Sequence, residues 1–266
     1  MSPLLQLLLG FTLALIIALA AYRLGSLSRS GALAAWLVGT VIFGMGGLSW
    51  AILLLTFFIS SSVLTRSFAK RKASLTEKFD KGGKRDMGQV FANGGIAAVF
   101  AGLHFFFLPH AWPWLAFAGA LAAANADTWA TELGVLNPTQ PRLLTTWAKV
   151  EKGTSGAISV YGTLSALGGA FVIALLGAAL GPHGRFWANL EVITVAGMLG
   201  SLFDSLLGAT IQAIYRCPAC DKETEKHPLH SCGTATVQVR GWSWLNNDLV
   251  NLGCASVGAL IGMLLF

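Results

Sequence analysis

Four carboxylates stand where an apolar sequence should exclude them. Asp127 and Glu132 lie in Asn125-Ala126-Asp127-Thr128-Trp129-Ala130-Thr131-Glu132-Leu133-Gly134. Asp204 lies in Gly200-Ser201-Leu202-Phe203-Asp204-Ser205-Leu206-Leu207-Gly208, and Asp248 in Asn246-Asn247-Asp248, with Asn251 one turn later. An ionisable group inside a bilayer costs several kcal/mol unless it has a partner or a function. Carboxylate and amide oxygens are hard ligands suited to Mg²⁺, which keeps several waters and takes one or two protein carboxylates plus substrate phosphates. Asp127, Asp204 and Asp248 are therefore candidate Mg²⁺ ligands, and Asn125, Thr128, Ser201, Ser205, Asn247 and Asn251 are polar neighbours open to a substrate. On a regular helix Asp127 shares a face with Thr131 and Thr128 with Glu132, whereas Asp127 and Glu132 lie about 140° apart. Those two frame one phosphate-bound metal only if the helix unwinds at Gly134. The plainer alternative is that Asp127 and Asp204 pair with interior Lys, Asn or Ser and hold a helix bundle together.

Partners for phosphate chemistry accompany these acids. Lys152-Gly153-Thr154-Ser155-Gly156 directly precedes another apolar run. Its backbone N–H groups would approach an anion at a helix N-terminus, and Lys152 adds a point charge. Thr154, Ser155 and Ser201 equally suit helix capping or hydrogen bonds between helices. Lys81-Gly82-Gly83-Lys84-Arg85-Asp86 reads as a basic loop ahead of a span in which Gln89 and Asn93 are one turn apart. Lys84 and Arg85 either touch a substrate phosphate or mark the side of the membrane.

A different chemistry is written in Cys217-Pro218-Ala219-Cys220, followed by His227, His230 and Cys232. Tetrahedral zinc takes four Cys or His ligands, and Cys217, Cys220 and Cys232 with His230 or His227 complete such a set. A disulfide is the alternative, disfavoured on a reducing side of the membrane. Cys254 reads as a buried small hydrophobe. His104, His110 and His183 fall near the opposite loops and read as interfacial, as do Trp112, Trp114, Trp187, Trp242 and Trp244.

The elements that must position these groups follow from composition. The 266 residues are 55% hydrophobic and 11% charged, whereas a soluble domain carries about 25% charged residues. Disorder is excluded for the same reason. Apolar runs place spans at Leu4–Tyr22, Gly31–Met45, Ser49–Phe68, Gly88–Phe107, Trp112–Leu133, Gly156–Leu180, Leu190–Tyr215 and Asn246–Phe266. The second and third are joined through Gly44, Met45, Gly46 and Gly47, so tightly that a re-entrant hairpin is the alternative. Leu4–Tyr22 has no basic stretch before it and is read as a retained helix. The chain is thus expected to be all-α, one integral membrane domain over 1–266 with a Cys/His loop at 216–243.

Charge then orients the bundle. Seventeen of the 18 basic residues fall in odd-numbered loops, among them Arg66, Lys70, Arg71, Lys72, Lys78, Lys81, Lys84 and Arg85 in the third. Lys and Arg collect on the cytoplasmic side, so the odd loops and the polar motifs are expected there, with both termini outside. The charge of +6 is then a topology signal and a contact for anionic lipid, and nucleic acid is not an expected partner. No inverted repeat of broken helices is evident, which counts against a transporter.

The four motifs, in this order and spacing, resemble the integral membrane family known as domain of unknown function 92, which includes plastid phytyl-phosphate kinases and the animal transmembrane protein 19 group. The resemblance runs from about the first loop to the C-terminus. It implies a polytopic helical bundle, and its best-known activity converts an isoprenyl monophosphate to the diphosphate with a nucleoside triphosphate. A more distant similarity to dolichol and phytol kinases points to CTP. By resemblance, Asp127 and Glu132 match the family's acidic motif, Lys152 to Gly156 its glycine-rich turn, Asp204 its Asp-Ser-Leu-Leu-Gly motif and Asp248 its Asn-Asn-Asp motif. The catalytic set so implied is Asp127, Glu132, Asp204 and Lys152, with Gly153 and Gly156 in the phosphate turn. The Cys/His loop resembles that of some members, and its zinc is expected to be structural. Rival readings are a polyprenol kinase or cytidylyltransferase, a carrier or flippase for isoprenoid phosphates, and a membrane scaffold. Chain length of the prenyl group, nucleotide preference and oligomeric state are not written in the motifs.

Overall fold

The computed structural model describes residues 2–68, 78, 83–108, 110–181 and 184–265. Lys70, Arg71, Lys72, Lys81 and His183, which enter the charge and histidine readings above, lie outside the described residues. Eight long helices follow in order: α1 (Pro3–Arg23), α2 (Arg29–Val41), α3 (Leu48–Ser67), α4 (Met87–Phe106), α5 (Trp112–Gly134), α6 (Val160–Leu180), α7 (Phe186–Thr210) and α8 (Asn247–Leu264). Side-chain caps fix several starts: Ser2, Ser28, Ser159 and Asn246 each accept an orphan backbone N–H of the first turn, and Asp86 forms a capping box with Gln89. Between α2 and α3 the chain runs through a π-helical turn, Ile42–Gly46, and reverses at Gly47 with φ 88°.

Seven of these helices, counting Arg29–Gly46 as one, are long and apolar enough to cross a membrane by length and composition. The eighth, α5, falls short for a physical reason. It is enclosed by α3, α4, α6, α7 and α8, and its residues from Pro113 through Ala126 are all buried. A helix surrounded by protein needs small, close-packing residues rather than lipid-soluble ones. At the crossing of α5 and α8, a Cβ on Gly119 would sit 2.3 Å from the carbonyl oxygen of Gly258. Leu4, Leu8, Ile16, Ile59, Val99, Leu164 and Phe171 point outward from the surrounding helices, as a lipid-facing surface requires.

Two expected spans are shorter or shifted. The sixth begins at Val160 rather than Gly156, because Ser159 caps it and Ala157–Ile158 forms a strand. The seventh ends at Thr210, and Ile214 and Tyr215 enter a strand instead. Trp114 is not interfacial: it is 2% exposed and its indole N–H donates to Gly177 O at 2.9 Å. His104 likewise packs against Trp50, ring centroids 4.8 Å apart.

The loops after α1, α3, α5 and α7 meet at one end of the bundle, as an eight-helix count demands. Ser28 N–H donates to Arg85 O and Arg85 N–H to Ser26 O, joining the first and third loops. Two small antiparallel sheets lie in this layer, so the all-α description holds for the bundle and not for its loops. One pairs β1 (Arg142–Leu143) with β2 (Ala157–Ile158). The other has the order β4 (Lys222–Thr224), β3 (Ile214–Cys217), β5 (Val237–Arg240).

Candidate functional site

A cavity of about 580 Å³ opens at the loop-bearing end, between α3, α4, α5, α7, α8 and the glycine-rich turn. Its walls include Lys84, Arg85, Asn93, Asp127, Thr128, Glu132, Lys152, Gly153, Thr154, Ser155, Gly156, Ser201, Asp204, Ser205, Asn247 and Asn251. Residues spread over more than 160 positions of sequence are thereby brought to one chamber.

The carboxylates divide between two walls. The helix α5 stays regular through Gly134, so the unwinding considered above does not occur. Glu132 turns toward α3, where its Oε1 accepts from Thr65 Oγ1 at 2.9 Å. Asp127 turns the other way: Asp127, Asp204 and Glu225 are close enough for their charges to act on one another. One Asp204 oxygen, Oδ2, is buried with no hydrogen-bond partner among the described residues. A buried carboxylate oxygen left over beside two further carboxylates is costly for the protein alone. Carboxylate, amide and hydroxyl oxygens are the donor types that a hard divalent cation such as Mg²⁺ takes.

Cations occupy the remaining wall. Arg85 is packed over the rings of Phe57 and Phe58 at 5.7 and 5.5 Å and donates to Ser62 Oγ at 3.3 Å. Desolvation draws its guanidinium down to about 10, and the charge of Glu132 opposes that shift, so it remains a cation at neutral pH. Lys84 stands beside it. Arg66 also lines the chamber; its guanidinium donates to Leu24 O and to Ser26 Oγ, the latter at 2.6 Å. Sequence reasoning treated Arg66 only as a topology marker.

Other expectations are corrected. Lys152 lines the cavity, but its ammonium donates to Val135 O and Asn137 O, which ties the turn to the C-terminal end of α5 and leaves less of its charge for a substrate. The turn does not sit on a helix N-terminus, since α6 starts only after Ser159. It is packed instead on α7: Gly156 has φ 79°, and a Cβ there would lie 2.1 Å from Ala209 N. Asn125 is not a substrate group. It is fully buried, donates to Gly169 O at 2.8 Å and accepts from Ser60 Oγ at 3.0 Å, clamping α3, α5 and α6 together. Asn125→Ala is therefore expected to cost about 2 kcal/mol of stability by stranding buried polar groups; thermal unfolding checks this. Asp248 occupies the first turn of α8, where a negative charge suits the helix dipole, but Asn247 and Asn251 line the cavity in its place.

Glu225 is a cavity residue that the sequence did not announce. Its backbone N–H donates to Lys78 O at 2.8 Å. Its Oε1 accepts from Ser155 Oγ at 2.6 Å and from Gln212 Nε2 at 2.9 Å. Three loops, those after α3, α5 and α7, are thus held together on one residue, the first through its backbone and the other two through its side chain. Within Lys222-Glu223-Thr224-Glu225-Lys226 nothing distinguishes it from an exposed charged loop; its one signal is its place between the two halves of the Cys/His set.

A narrow apolar slot between α1, α2, α3 and α4 adjoins the chamber and shares Arg85, Gln89 and Asn93 with it. Ala14, Ile17, Val38, Phe43, Leu54 and Phe57 are among its walls. The slot encloses about 70 Å³, room for the first few carbons of a hydrocarbon tail whose anionic head meets the shared residues.

Comparison with known proteins agrees with this architecture. The family model described as Integral membrane protein DUF92 matches residues 12–259. Protein PGR of Arabidopsis thaliana is 34% identical over 272 residues, covering 94% of this chain and 92% of PGR. The uncharacterized membrane protein MJ0933 of Methanocaldococcus jannaschii is 31% identical over 269 residues, covering 100% of this chain and 97% of its own. Protein VTE6, chloroplastic, of Arabidopsis thaliana is 27% identical over 243 residues, covering 90% of this chain and 65% of its own. No solved structure matches. With a family match running from the first helix into the last, the chain belongs to the integral membrane protein family DUF92.

Proposed function

We propose that this protein is a membrane kinase that transfers the γ-phosphoryl group of a nucleoside triphosphate to a prenyl monophosphate, yielding the prenyl diphosphate, at a chamber facing the cytoplasm. One observation carries the reading: a single cavity sets Asp127, Asp204 and Glu225 against Lys84, Arg85 and Arg66, and opens beside an apolar slot. The activity best known among the family's members is of this kind, and the excess of Lys and Arg in the loops around the cavity supports the orientation.

In this reading the phosphate meets Arg85 and Lys84, the first carbons of the tail enter the slot and the rest of the tail passes between helices into lipid. The triphosphate lies across the chamber toward Thr154 and Ser155. Asp127 and Asp204 would hold Mg²⁺, which would supply charge neutralisation for the phosphate oxygens. An oxygen of the monophosphate attacks the γ-phosphorus as the bond to the β-phosphate oxygen breaks, and the nucleoside diphosphate leaves. That oxygen is already anionic near neutral pH, so no side chain need act as a base. The chain's contribution is positioning and electrostatics: fixed cations on α3 and on the loop before α4 hold two highly charged groups at bonding distance.

The test is product identity. Purified protein is offered CTP, ATP, GTP or UTP with farnesyl, geranylgeranyl or phytyl monophosphate, and separately with the free alcohols. Diphosphate from the monophosphates is the expected result. Monophosphate formed only from alcohols would make the protein a polyprenol kinase, and nucleotide-independent uptake of a prenyl phosphate into proteoliposomes would make it a carrier.

A further inference from the structure

We propose that Cys217, Cys220, His230 and Cys232 bind one Zn²⁺ ion, and that this ion fixes the hairpin that carries Glu225 into the cavity. The proposal is independent of which reaction the cavity performs. The ligand atoms of these four residues all lie within 4.8 Å of one another. Cys217 Sγ and Cys232 Sγ are 3.6 Å apart, and His230 Nδ1 is 3.2 Å from Cys232 Sγ. Around a tetrahedral zinc with Zn–S of about 2.3 Å, two sulfurs stand about 3.8 Å apart. A disulfide would need about 2.05 Å, and it would leave the convergence of the third thiol and the imidazole without a purpose. The His230 ring is 4% exposed, and its Nε2 has no hydrogen-bond partner among the described residues. His227, the other candidate, is stacked on Tyr215 with ring centroids 4.4 Å apart. Thiolate and imidazole donors select zinc over the hard cation suited to the chamber.

The ion has structural work to do there. Strands of 4, 3 and 4 residues bury too little to hold a shape alone. Cys217 ends β3 and pairs in register with Lys222, the first residue of β4, and Glu225 follows β4 directly. Asp221 N–H donates to Cys217 O at 2.9 Å, and His230 N–H to Thr234 O at 2.9 Å, so each half of the ligand set sits in its own turn. Binding displaces the three thiol protons and moves no electrons. Glu225 is thereby a group placed from outside the membrane, and the zinc ligands act on the cavity as positioning residues.

Zinc in the purified full-length protein, measured by plasma mass spectrometry, is expected at about one ion per chain, falling at least tenfold in Cys217→Ser and Cys232→Ser. Since a ligand substitution can unfold the loop by itself, the wild type is also treated with a mercurial thiol reagent in the presence of a zinc dye, with release of one ion expected. Hydrogen exchange then reads the coupling. In the zinc-depleted wild type, the Glu225 amide and the segment 152–156 should exchange at least about tenfold faster while α5 is unchanged. A protein without metal, one holding another metal in its place, or zinc loss that leaves exchange at Glu225 and 152–156 unaltered would overturn the proposal.

Discussion

Asp127→Asn is expected to lower phosphoryl transfer by about a hundred- to a thousandfold, the range seen when a charge-stabilising group is removed from an enclosed site. The substitution keeps the shape of the side chain and removes its charge. In the absence of a cation, Asp127, Asp204 and Glu225 repel one another, so the variant should unfold at the same temperature as the wild type or higher. The two proteins should part when Mg²⁺ and nucleotide are added. Ligand at a hundred times its Kd stabilises by about 2.7 kcal/mol, and this rise in apparent Tm should vanish in Asp127→Asn. Retained turnover with a normal thermal response would remove Asp127 from the site.

Gly156→Ala tests the mounting of the glycine-rich turn. At φ 79° the added Cβ would stand 2.1 Å from Ala209 N and 2.4 Å from Ala209 Cα, which are backbone atoms of α7 that have no rotamer to change. The turn must lift off the helix and carry Thr154 and Ser155 with it. A cost of about 3 kcal/mol is expected from the left-handed backbone and the clash together. That corresponds to a fall in apparent Tm of roughly 6–12 °C for a chain of this size, with transfer reduced at least tenfold. Gly184→Ala is the control: its φ is 64°, but among the described residues nothing lies within 4 Å of the added Cβ, so the backbone cost of about 1 kcal/mol is what is expected. Equal losses in the two variants would show that the packing of Gly156 on α7 is immaterial.

Both arguments depend on features that differ in how far the sequence reveals them. The apolar runs were readable because a bilayer demands length and composition, and those are one-dimensional properties. Asp127 and Asp204 were readable because they violate that demand. The start of α6 was not: Gly156, Ala157 and Ile158 continue the apolar run, and only the left-handed turn and the Ser159 cap stop the helix there. Asn125 misled for a related reason. A polar side chain next to a catalytic candidate resembles a ligand group, yet its amide is spent on Gly169 and Ser60, which are remote in sequence. Glu225 sits in a loop and Arg66 in the last turn of α3, at places whose charge already had an explanation. Their role emerges only when hydrogen bonds, Glu225 to Ser155 and Arg66 to Ser26, close the chamber.

The central claim is that the chamber joins a nucleotide phosphate to a prenyl phosphate. It is tested most directly with a γ-labelled nucleoside triphosphate, Mg²⁺ and geranylgeranyl or phytyl monophosphate, using purified protein and following the label into lipid extract. The account predicts label in the terminal phosphate of a prenyl diphosphate, dependent on Mg²⁺ and lost in Asp127→Asn. Label that never enters the lipid, in a preparation whose Tm shows it to be folded, would contradict it.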